Sequence, residues 1–230
     1  MFLKKKILAL IPARGGSKGI KFKNLKKING LSLIGHTSKF IDKCNFFDGK
    51  LISTDSEKIL NEAKKFDLKT FKRSVLTSKD YSSDHDVIIE VLKDKRIKEQ
   101  KYDFIVYLQP TSPIRKISQL SKALREVIKK NLDCSWSISK IDKKFHPKKV
   151  LKLSNKNLLT IYNDDGKKIV ARQQLENIFI RNGIFYIFRI SKFLESKDIY
   201  LKKNYPSITN YSFINIDTHQ DLKKVRELLK

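Results

Sequence analysis

The chain has 230 residues, of which 40% are hydrophobic, and this suffices for the core of one α/β domain with an appendage rather than two full domains. Its formal net charge is +26, but the lysines are spread over nearly every predicted element, which argues against a nucleic-acid-binding face while still favouring acidic substrates. No segment is apolar over a length that could cross a bilayer, so we expect a cytoplasmic protein without membrane contact.

The most informative segment follows the first predicted strand, the apolar run Ile7–Ile11. It runs from Pro12 to Asn24 and combines three glycines with four cations, Arg14, Lys18, Lys21 and Lys23. Glycines leave the backbone N–H groups accessible to a ligand. Such groups bind polyphosphates when they lie beside cations at the carboxyl edge of a parallel sheet. The segment therefore predicts a nucleoside triphosphate site. The segment matches neither the Walker loop nor the dinucleotide fingerprint. The alternative interpretation is a surface turn that is rich in glycine and lysine and binds no ligand.

The following elements alternate between helical and strand periodicity. Helices are predicted at Leu33–Lys43, Glu57–Phe66, Asp86–Lys93, Ile117–Lys129 and from about Asp221 to Leu229, and strands at Lys50–Ser53, Lys69–Lys72 and Phe104–Leu108. This order, with short connections, predicts an α/β fold with a doubly wound, mainly parallel sheet in a single domain over residues 1–230. Its ligand site is expected outside the carboxyl ends of the strands.

Three further polar segments fall at that edge. Ser53–Asp55 ends a strand, and its other interpretation is a helix cap. Gln109–Arg115 follows the Phe104–Leu108 strand, and its Gln, Thr, Ser and Arg side chains suit a hydroxylated, anionic ligand. Asp217 precedes the last helix, where it either caps that helix or serves as a ligand for Mg²⁺.

The region from Cys134 to Ile190 differs from the alternating helices and strands before it. Its strand-like runs alternate with polar turns, and it lacks apolar residues at helical spacing. Part of it, roughly residues 140–180, is predicted to be an inserted β-rich arm that acts as a lid or a dimerisation arm. The two cysteines, Cys44 and Cys134, fit no metal-ligand spacing, and their apolar surroundings predict reduced structural thiols.

Together these motifs resemble the acylneuraminate cytidylyltransferase family, the CMP-sialic acid synthetases and their relatives for other nine-carbon acidic sugars. The matching segments span almost the whole chain and are Ile11–Asn24, Leu25–Thr37, Ile52–Ser56, Leu108–Arg115, His146 with Pro147, Arg172–Gln174, Asn182 and Gly183 with Tyr186, Ile216–Thr218 and Asp221 with Leu222.

The resemblance implies a Rossmann-like nucleotidyltransferase fold and a cytidylyl transfer. The anomeric hydroxyl of an α-keto acid sugar, such as sialic, legionaminic or pseudaminic acid, would attack the α-phosphorus of CTP to give the CMP-sugar and pyrophosphate. The product would serve the synthesis of a surface polysaccharide or glycan, and the enzyme would act as a homodimer with Mg²⁺.

The resemblance also implies roles for individual residues. The phosphates and the start of the nucleoside would be held by Arg14, Gly15, Gly16, Ser17, Lys18, Lys23 and Asn24, and the cytidine by Arg73, Ser82 and Ser83, the last two within the Asp80–Ser83 stretch. The sugar would contact Gln109, Thr111, Ser112, Arg172, Gln173, Asn182 and Tyr186, with Lys149 from the arm of a partner subunit. The expected catalytic residues are Arg14, Lys18, Lys23 and Asp217, and Asp217 with Asn215 would ligate Mg²⁺.

The chain departs from the family pattern in two places. The family commonly has Asp-x-Asp where this chain has Asn215 and Asp217, which leaves three outcomes: weaker Mg²⁺ binding, compensation by Asp221, or a metal held mostly by the triphosphate and water. Phe179–Arg181 replaces a more proline-marked approach to Asn182. The alternatives to this function are a nucleotidyltransferase for another acidic sugar, such as 3-deoxy-octulosonate, and a non-catalytic basic protein that binds polyanions.

Overall fold

The computed structural model describes residues 1–17, 19–79 and 81–229. Its strands are β1 (Ile7–Pro12), β2 (Lys27–Ile28), β3 (Leu31–Ser32), β4 (Gly49–Thr54), β5 (Lys69–Lys72), β6 (Phe104–Tyr107), β7 (Cys134–Lys140), β8 (Leu151–Leu153), β9 (Leu159–Ile161), β10 (Phe179–Arg189) and β11 (Asn204–Ile208). Its α-helices are α1 (Leu33–Asp42), α2 (Glu57–Lys64), α3 (Asp84–Lys93), α4 (Lys95–Lys98), α5 (Ile117–Lys129), α6 (Ile190–Leu194) and α7 (His219–Leu228).

Seven of these strands form one sheet, in the order β11-β7-β10-β6-β1-β4-β5. Strand β1 is parallel to β4 and β6, β4 is parallel to β5, and β11 is parallel to β7. Strand β10 is antiparallel to both of its neighbours, β6 and β7. The predicted mainly parallel sheet is therefore confirmed, and it contains one antiparallel strand that the sequence pattern did not indicate.

Strand β1 is apolar throughout because both of its faces are covered. Ile7, Ala9 and Ile11 face one hydrophobic core, to which α1, α2 and α5 contribute, whereas Leu8 and Leu10 face a second core with α3 and α6. Parallel sheets with helices on both faces require such continuous apolar strands. The prediction of a doubly wound sheet is thus confirmed.

Helix α5 shows how the sequence pattern produces this packing. Leu120, Ala123, Leu124 and Val127 recur at intervals of three or four residues and are all fully buried, whereas Lys122 and Arg125 between them are exposed. Burial of each large aliphatic side chain contributes roughly 1.5–3 kcal/mol to folding, so the stripe fixes the helix on the sheet.

The capping interpretations of two aspartates are wrong. Helix α2 begins after Ser56, whose side chain makes no capping bond, and Asp55 is used elsewhere. Helix α7 is capped by Thr218, whose hydroxyl accepts from the Asp221 backbone N–H at 3.2 Å while the Asp221 carboxylate accepts from the Thr218 backbone N–H at 2.8 Å. Asp217 is therefore left available to the site described below.

A third, small core attaches α7 to the chain near the first loop. Ile20, Ile28 and Leu33 pack with Ile216 and with two residues of α7, Leu222 and Val225. The Asn29 side chain also donates to the Leu229 carbonyl oxygen at 3.1 Å. This packing holds the last helix, and the residues that lead into it, beside the loop that follows β1.

Between β7 and β10 the chain leaves the sheet over residues 141–178, which we call the excursion. It contains the β8–β9 hairpin and several short 3₁₀ helices. Many of its large apolar side chains are exposed: Phe145, Leu151, Leu153, Leu158, Leu159, Tyr162 and Val170. The β-rich character predicted for the whole region 134–190 arises mainly from β7 and β10, which belong to the central sheet.

The two cysteines are confirmed as free, buried thiols. Burial raises the pKa of both Cys44 and Cys134 to about 12, so neither is a nucleophile near neutral pH. Within the described ranges, no helix combines the length and the apolar character needed to cross a membrane.

Candidate functional site

A cavity of about 570 Å³ opens at the carboxyl ends of β1, β5 and β6, the edge at which the sequence predicted a ligand site. Ten predicted site residues line it: Arg14, Ser17, Lys23, Asn24, Arg73, Ser82, Gln109, Thr111, Asn215 and Asp217. Its size lies within the range of small-molecule sites in proteins. Segments far apart in the chain therefore meet around one space that could hold a nucleotide and a second substrate.

The loop after β1 approaches the segment before α7 closely. A Cβ atom added at Gly19 would lie only 2.6 Å from the Asp217 carbonyl oxygen, whereas nothing lies within 4 Å of one added at Gly16. Glycine at position 19 thus permits a backbone contact that any side chain would prevent. The contact brings the loop and Asp217 to the same side of the cavity.

The backbone amides of this loop are not all free, contrary to the prediction. The Gly15 N–H donates to the Asp55 carboxylate at 2.8 Å, and the Ser17 N–H donates to the Gly15 carbonyl oxygen at 3.1 Å. Asp55 therefore holds the loop in shape and occupies a donor that was expected to bind phosphate. Gly15 and Gly16 are not part of the cavity wall, and Lys18 lies outside the described residues.

Lys23 and Asp217 form an ion pair inside the cavity, with 2.8 Å between Nζ and Oδ1. The Lys23 side chain is 17% exposed and that of Asp217 is 69% exposed, so the ammonium group is positioned at the wall by packing of its stem while the carboxylate is open to solvent. Arg14 lines the same cavity, and the Asn24 amide donates to the Arg14 carbonyl oxygen at 3.2 Å. Two cations and one carboxylate can therefore contact a phosphate chain and its counterion.

The donors available for a metal ion are few. Asn215 and Asp217 both line the cavity, and the described part of the chain contains no cluster of three or more His, Cys, Asp or Glu residues that could bind a metal. Asp221 does not line the cavity, and its Oδ2 accepts three hydrogen bonds at the start of α7, which lower the pKa of the carboxyl group. One carboxylate and one amide oxygen fit Mg²⁺, which usually keeps several waters and takes further ligands from substrate phosphates.

A second part of the wall is formed by the residues that follow β5. Arg73 is buried and donates to the carbonyl and hydroxyl oxygens of Ser53, at 3.0 and 3.2 Å, and to the Thr77 carbonyl oxygen at 3.4 Å. The Ser82 hydroxyl donates to the Leu76 carbonyl oxygen at 2.9 Å. Ser83 does not line the cavity but caps α3. Asp80, in the same predicted stretch, lies outside the described residues.

At the end of β6, some of the predicted residues line the cavity and others are buried behind its wall. Gln109 and Thr111 line the cavity. Ser112 and Asn182 are buried behind it: the Ser112 hydroxyl donates to the Asn182 carbonyl oxygen at 3.5 Å, and the Asn182 amide donates to Ser139 and Thr209 hydroxyls at 2.9 Å each. These two residues therefore stiffen the wall instead of facing the cavity.

The prediction that Arg115 contributes a donor for the ligand is wrong. Its guanidinium donates to the carbonyl oxygens of Gln109 and Ile184 and to the Thr37 hydroxyl. Burial lowers its pKa to about 9. Arg115 therefore fixes the backbone turn that presents Gln109, and its charge does not reach the cavity.

Four predicted sugar contacts are not brought to the cavity by this chain. Tyr186 is buried behind it, with its ring 6.4 Å from that of Tyr107, and burial raises its pKa to about 12. Lys149, Arg172 and Gln173 are exposed on the excursion, where Arg172 pairs with Asp142. Because the excursion leaves the sheet, these three residues do not line the cavity described here.

The sequence analysis missed five wall residues: Thr77, Lys79, Asp84, Val87 and Tyr107. Three more, Pro12, Gly19 and Pro110, lie in segments that were predicted to face a ligand but were given no individual role. Asp84 and Tyr107 are the most informative, because the Tyr107 hydroxyl donates to the Asp84 carboxylate at 2.7 Å. Asp84 opens α3, two residues before the predicted helix start, and Tyr107 is the last residue of β6. The rule that ligands lie at the carboxyl ends of the strands would have found Tyr107.

Comparisons with known proteins identify relatives along almost the whole chain. A family model described as cytidylyltransferase matches residues 8–230. An N-acylneuraminate cytidylyltransferase of Streptococcus agalactiae serotype V is 28% identical over 227 residues, which cover 94% of this chain and 51% of that protein. The post-translational flagellin modification protein B of Campylobacter coli is 28% identical over 238 residues, covering 97% of this chain and 95% of its own length.

A solved structure shares the fold. The CMP:2-keto-3-deoxy-manno-octonic acid synthetase complexed with CTP superposes with a TM-score of 0.72 at 16% identity, over 97% of this chain and 98% of the other. At this identity the likeness shows the fold alone. This chain spans about half the length of the Streptococcus agalactiae protein, and nearly the full length of the Campylobacter coli protein.

Proposed function

Since the chain belongs to the cytidylyltransferase family, we propose that it transfers the cytidylyl group of CTP to the anomeric hydroxyl of a nine-carbon α-keto acid sugar. The observation that carries this proposal is the cavity itself, in which Arg14, Lys23 and Asp217 meet the polar strand end at Gln109. The name of the Streptococcus agalactiae relative, an N-acylneuraminate cytidylyltransferase, supports the choice of both substrates.

In the proposed reaction the sugar hydroxyl oxygen forms a bond to the α-phosphorus of CTP. The bond from that phosphorus to the pyrophosphate oxygen breaks, and the hydroxyl proton is lost to water in the open cavity. Phosphoryl transfers need alignment and neutralisation of charge more than covalent help from the protein. This agrees with a wall that, among the described residues, contains no histidine or cysteine.

The cations act on the leaving group. Lys23 and Arg14 stabilise the negative charge that accumulates on pyrophosphate, and Lys18 is proposed to assist them. The Ser17 hydroxyl and the Asn24 amide orient the phosphate chain and the ribose, and Gln109 and Thr111 orient the sugar. Because Lys23 is paired with Asp217 at 2.8 Å, binding of the triphosphate exchanges this partner for a phosphate oxygen.

Asp217 and Asn215 are proposed to hold Mg²⁺, through a carboxylate and an amide oxygen respectively. When bound, the ion supplies further neutralisation of the phosphate charge. Because only Asp217 of these two ligands is negatively charged, we expect the protein to need a higher Mg²⁺ concentration than relatives with two aspartates at these positions.

The product is proposed to enter the synthesis of a surface polysaccharide or glycan. The name of the Campylobacter coli relative, a flagellin modification protein, supports such a use. The reaction is assigned to the cytoplasm, where CTP is available and where unpaired thiols such as Cys44 and Cys134 stay reduced.

A homodimer is proposed because the excursion exposes several large apolar side chains, and exposed apolar patches mark protein interfaces. Leu153 and Leu159, on the β8–β9 hairpin, are 65% and 68% exposed. A second copy would cover them and could supply Lys149 to the sugar subsite of its neighbour. Sedimentation at micromolar concentration should give a dimer that Leu153→Asp dissociates, and a monomeric native protein would contradict the shared site.

The test of the function is pyrophosphate release by the purified protein. It is incubated with MgCl₂, with CTP, UTP, ATP or GTP, and with a panel that contains nine-carbon α-keto acids and 3-deoxy-octulosonate, and the product is identified by mass spectrometry. We expect release with CTP and a nine-carbon acid only. Release with the octulosonate alone would change the sugar class. No release, combined with salt-sensitive retention on nucleic acid, would favour the polyanion-binding alternative.

A matched pair of variants ties the activity to the cavity. Lys23→Ala removes a cation from the wall and should lower turnover by roughly 10- to 100-fold, since hydrogen bonds to charged groups contribute about 1.5–3 kcal/mol. Lys26→Ala removes an exposed lysine three residues further on and should retain the native rate. Equal rates in the two variants would contradict the role given to Lys23.

A further inference from the structure

One part of the cavity wall carries a pair of opposite charges. The family resemblance implies a cytidine contact for the cation, Arg73, but no role has been given to the anion, Asp84. Arg73 follows β5, Asp84 opens α3, and both line the cavity together with Val87 and with Tyr107 at the end of β6. This wall offers donors, an acceptor and an apolar surface. A phosphate chain would not use the acceptor, because a carboxylate repels phosphate oxygens.

The Asp84 carboxylate is fixed in place by a single anchor. The Tyr107 hydroxyl donates to Oδ1 at 2.7 Å, and the Tyr107 ring is almost fully buried between its neighbours in the second core. Burial first and the Asp84 charge second raise the pKa of Tyr107 well above its ordinary value, so its hydroxyl remains a donor at neutral pH. Among the described residues no other donor contacts this carboxylate, which leaves Oδ2 for a ligand.

Arg73 is held with similar firmness. The residue is 7% exposed, and the contacts of its guanidinium with Ser53 and Thr77 use only part of the five N–H donors. Burial lowers its pKa, and Tyr107, Asp55, Glu90 and Asp84 oppose that shift, so the group keeps its positive charge in a buried setting. The wall therefore presents a rigid cation and a rigid anion to the same cavity.

We propose that Asp84 selects the base of the nucleotide. Its free oxygen accepts a hydrogen bond from the exocyclic amino group of cytosine, and Arg73 donates to the acceptors on the same edge of the ring, the O2 and N3 atoms. Uracil presents a carbonyl oxygen in place of the amino group and an N–H at N3. The uracil oxygen would therefore face the Asp84 carboxylate, acceptor against acceptor, and the N3–H would face Arg73, donor against donor. This inference rests on the proposed function, in that the cavity binds a pyrimidine nucleoside triphosphate.

The expected discrimination is large because the acceptor is charged and preorganised. A hydrogen bond to an ionised partner is worth roughly a 10- to 100-fold change in affinity, and a site built to bind a donor rejects an analogue that lacks it by still more. Tyr107 is a positioning residue in this scheme, since it contacts the carboxylate and not the base. Loss of its hydroxyl should therefore weaken selection without reversing it.

The test is equilibrium binding of three nucleotides in the absence of sugar. The probes are CTP, UTP and the triphosphate of the pyrimidin-2-one riboside, which is cytidine without its amino group. Native protein should bind CTP at least about tenfold more tightly than either of the others. Asp84→Asn, whose amide can donate to the uracil oxygen, should reduce the preference for CTP over UTP at least about tenfold, and Tyr107→Phe should reduce it less. Asp67→Asn, an exposed aspartate between α2 and β5, controls for the loss of one negative charge and should keep the native preference.

The outcomes separate this inference from the proposed function. Native protein that binds none of the three nucleotides contradicts the proposed function itself. Native protein that prefers CTP, with the same preference in Asp84→Asn, leaves the function intact and overturns the role of Asp84. If Asp84→Asn does not fold, the native protein alone decides: equal binding of CTP and the analogue without the amino group overturns the inference, and a difference of tenfold or more supports it.

Discussion

Replacement of Gly19 by alanine tests whether the contact between the first loop and the segment before α7 is required. The added Cβ would lie 2.6 Å from the Asp217 carbonyl oxygen, and ordinary contact begins at 3.4 Å, so one of the two backbones must move by roughly 0.8 Å. The obstacle is backbone and cannot rotate away as a flexible side chain would. Any relief therefore changes the distance between the loop and the Asp217 carboxylate.

Two magnitudes follow from this displacement. Insertion of a methyl group into a packed contact costs typically about 1–3 kcal/mol, which for a chain of this length lowers the melting temperature by roughly 2–12 °C. A displacement of about 1 Å in a group that aligns substrates can cost on the order of 100-fold in rate. We therefore expect kcat/KM for CTP to fall by roughly 10- to 100-fold while the protein remains folded.

The assay is the initial rate of pyrophosphate release, with the melting temperature measured on the same samples. Gly16→Ala adds the same methyl group to the same loop, where nothing lies within 4 Å, and should retain at least about ten times the activity of Gly19→Ala. Equal losses in the two variants would refute the reasoning, because they would show that the loop is sensitive to any side chain and not to this contact.

Three further predictions address the cations, the metal and the thiols. Arg14→Ala should lower turnover at least about tenfold with little change in melting temperature, since the residue lines the cavity, and a near-native rate would remove it from the mechanism. Asn215→Asp should lower the Mg²⁺ concentration at half-maximal rate in a titration at saturating CTP, and an unchanged value would contradict a metal role for this position. Cys44 and Cys134 should not react with a thiol reagent at pH 8 in the folded protein, because a pKa of about 12 leaves roughly one thiolate in 10⁴ molecules, whereas both should react in urea. Rapid labelling without denaturant would contradict this protection.

The elements that are buried by regular patterns could be predicted from the sequence. The run Ile7–Ile11 and the stripe of α5 repeat at the periods of a buried strand and an amphipathic helix, and both form where expected. Strand β11 could not be found in this way. It contains Pro206 and polar residues, lies at the edge of the sheet, and pairs with β7 on one side only.

The site was predictable as a set of segments but not as a set of contacts. Lys23 and Asp217 are 194 residues apart, and only the folded chain shows that they form an ion pair. The Gly15 amide was expected to be free because its acceptor, Asp55, comes from another strand end 40 residues away. Arg115 was expected to face a ligand for the same reason. A sequence shows which residues can donate hydrogen bonds, but only the tertiary structure shows which of these donors already have an acceptor within the protein.

The small core around Ile20, Ile28 and Leu222 joins the segment that follows β1 to α7. Leu222 does not line the cavity, but it holds the helix that directly follows Asp217 and Thr218. A substitution at Leu222 that loosens this helix would therefore move Asp217 relative to Lys23. Variants that alter the site can thus be sought at positions that no ligand touches.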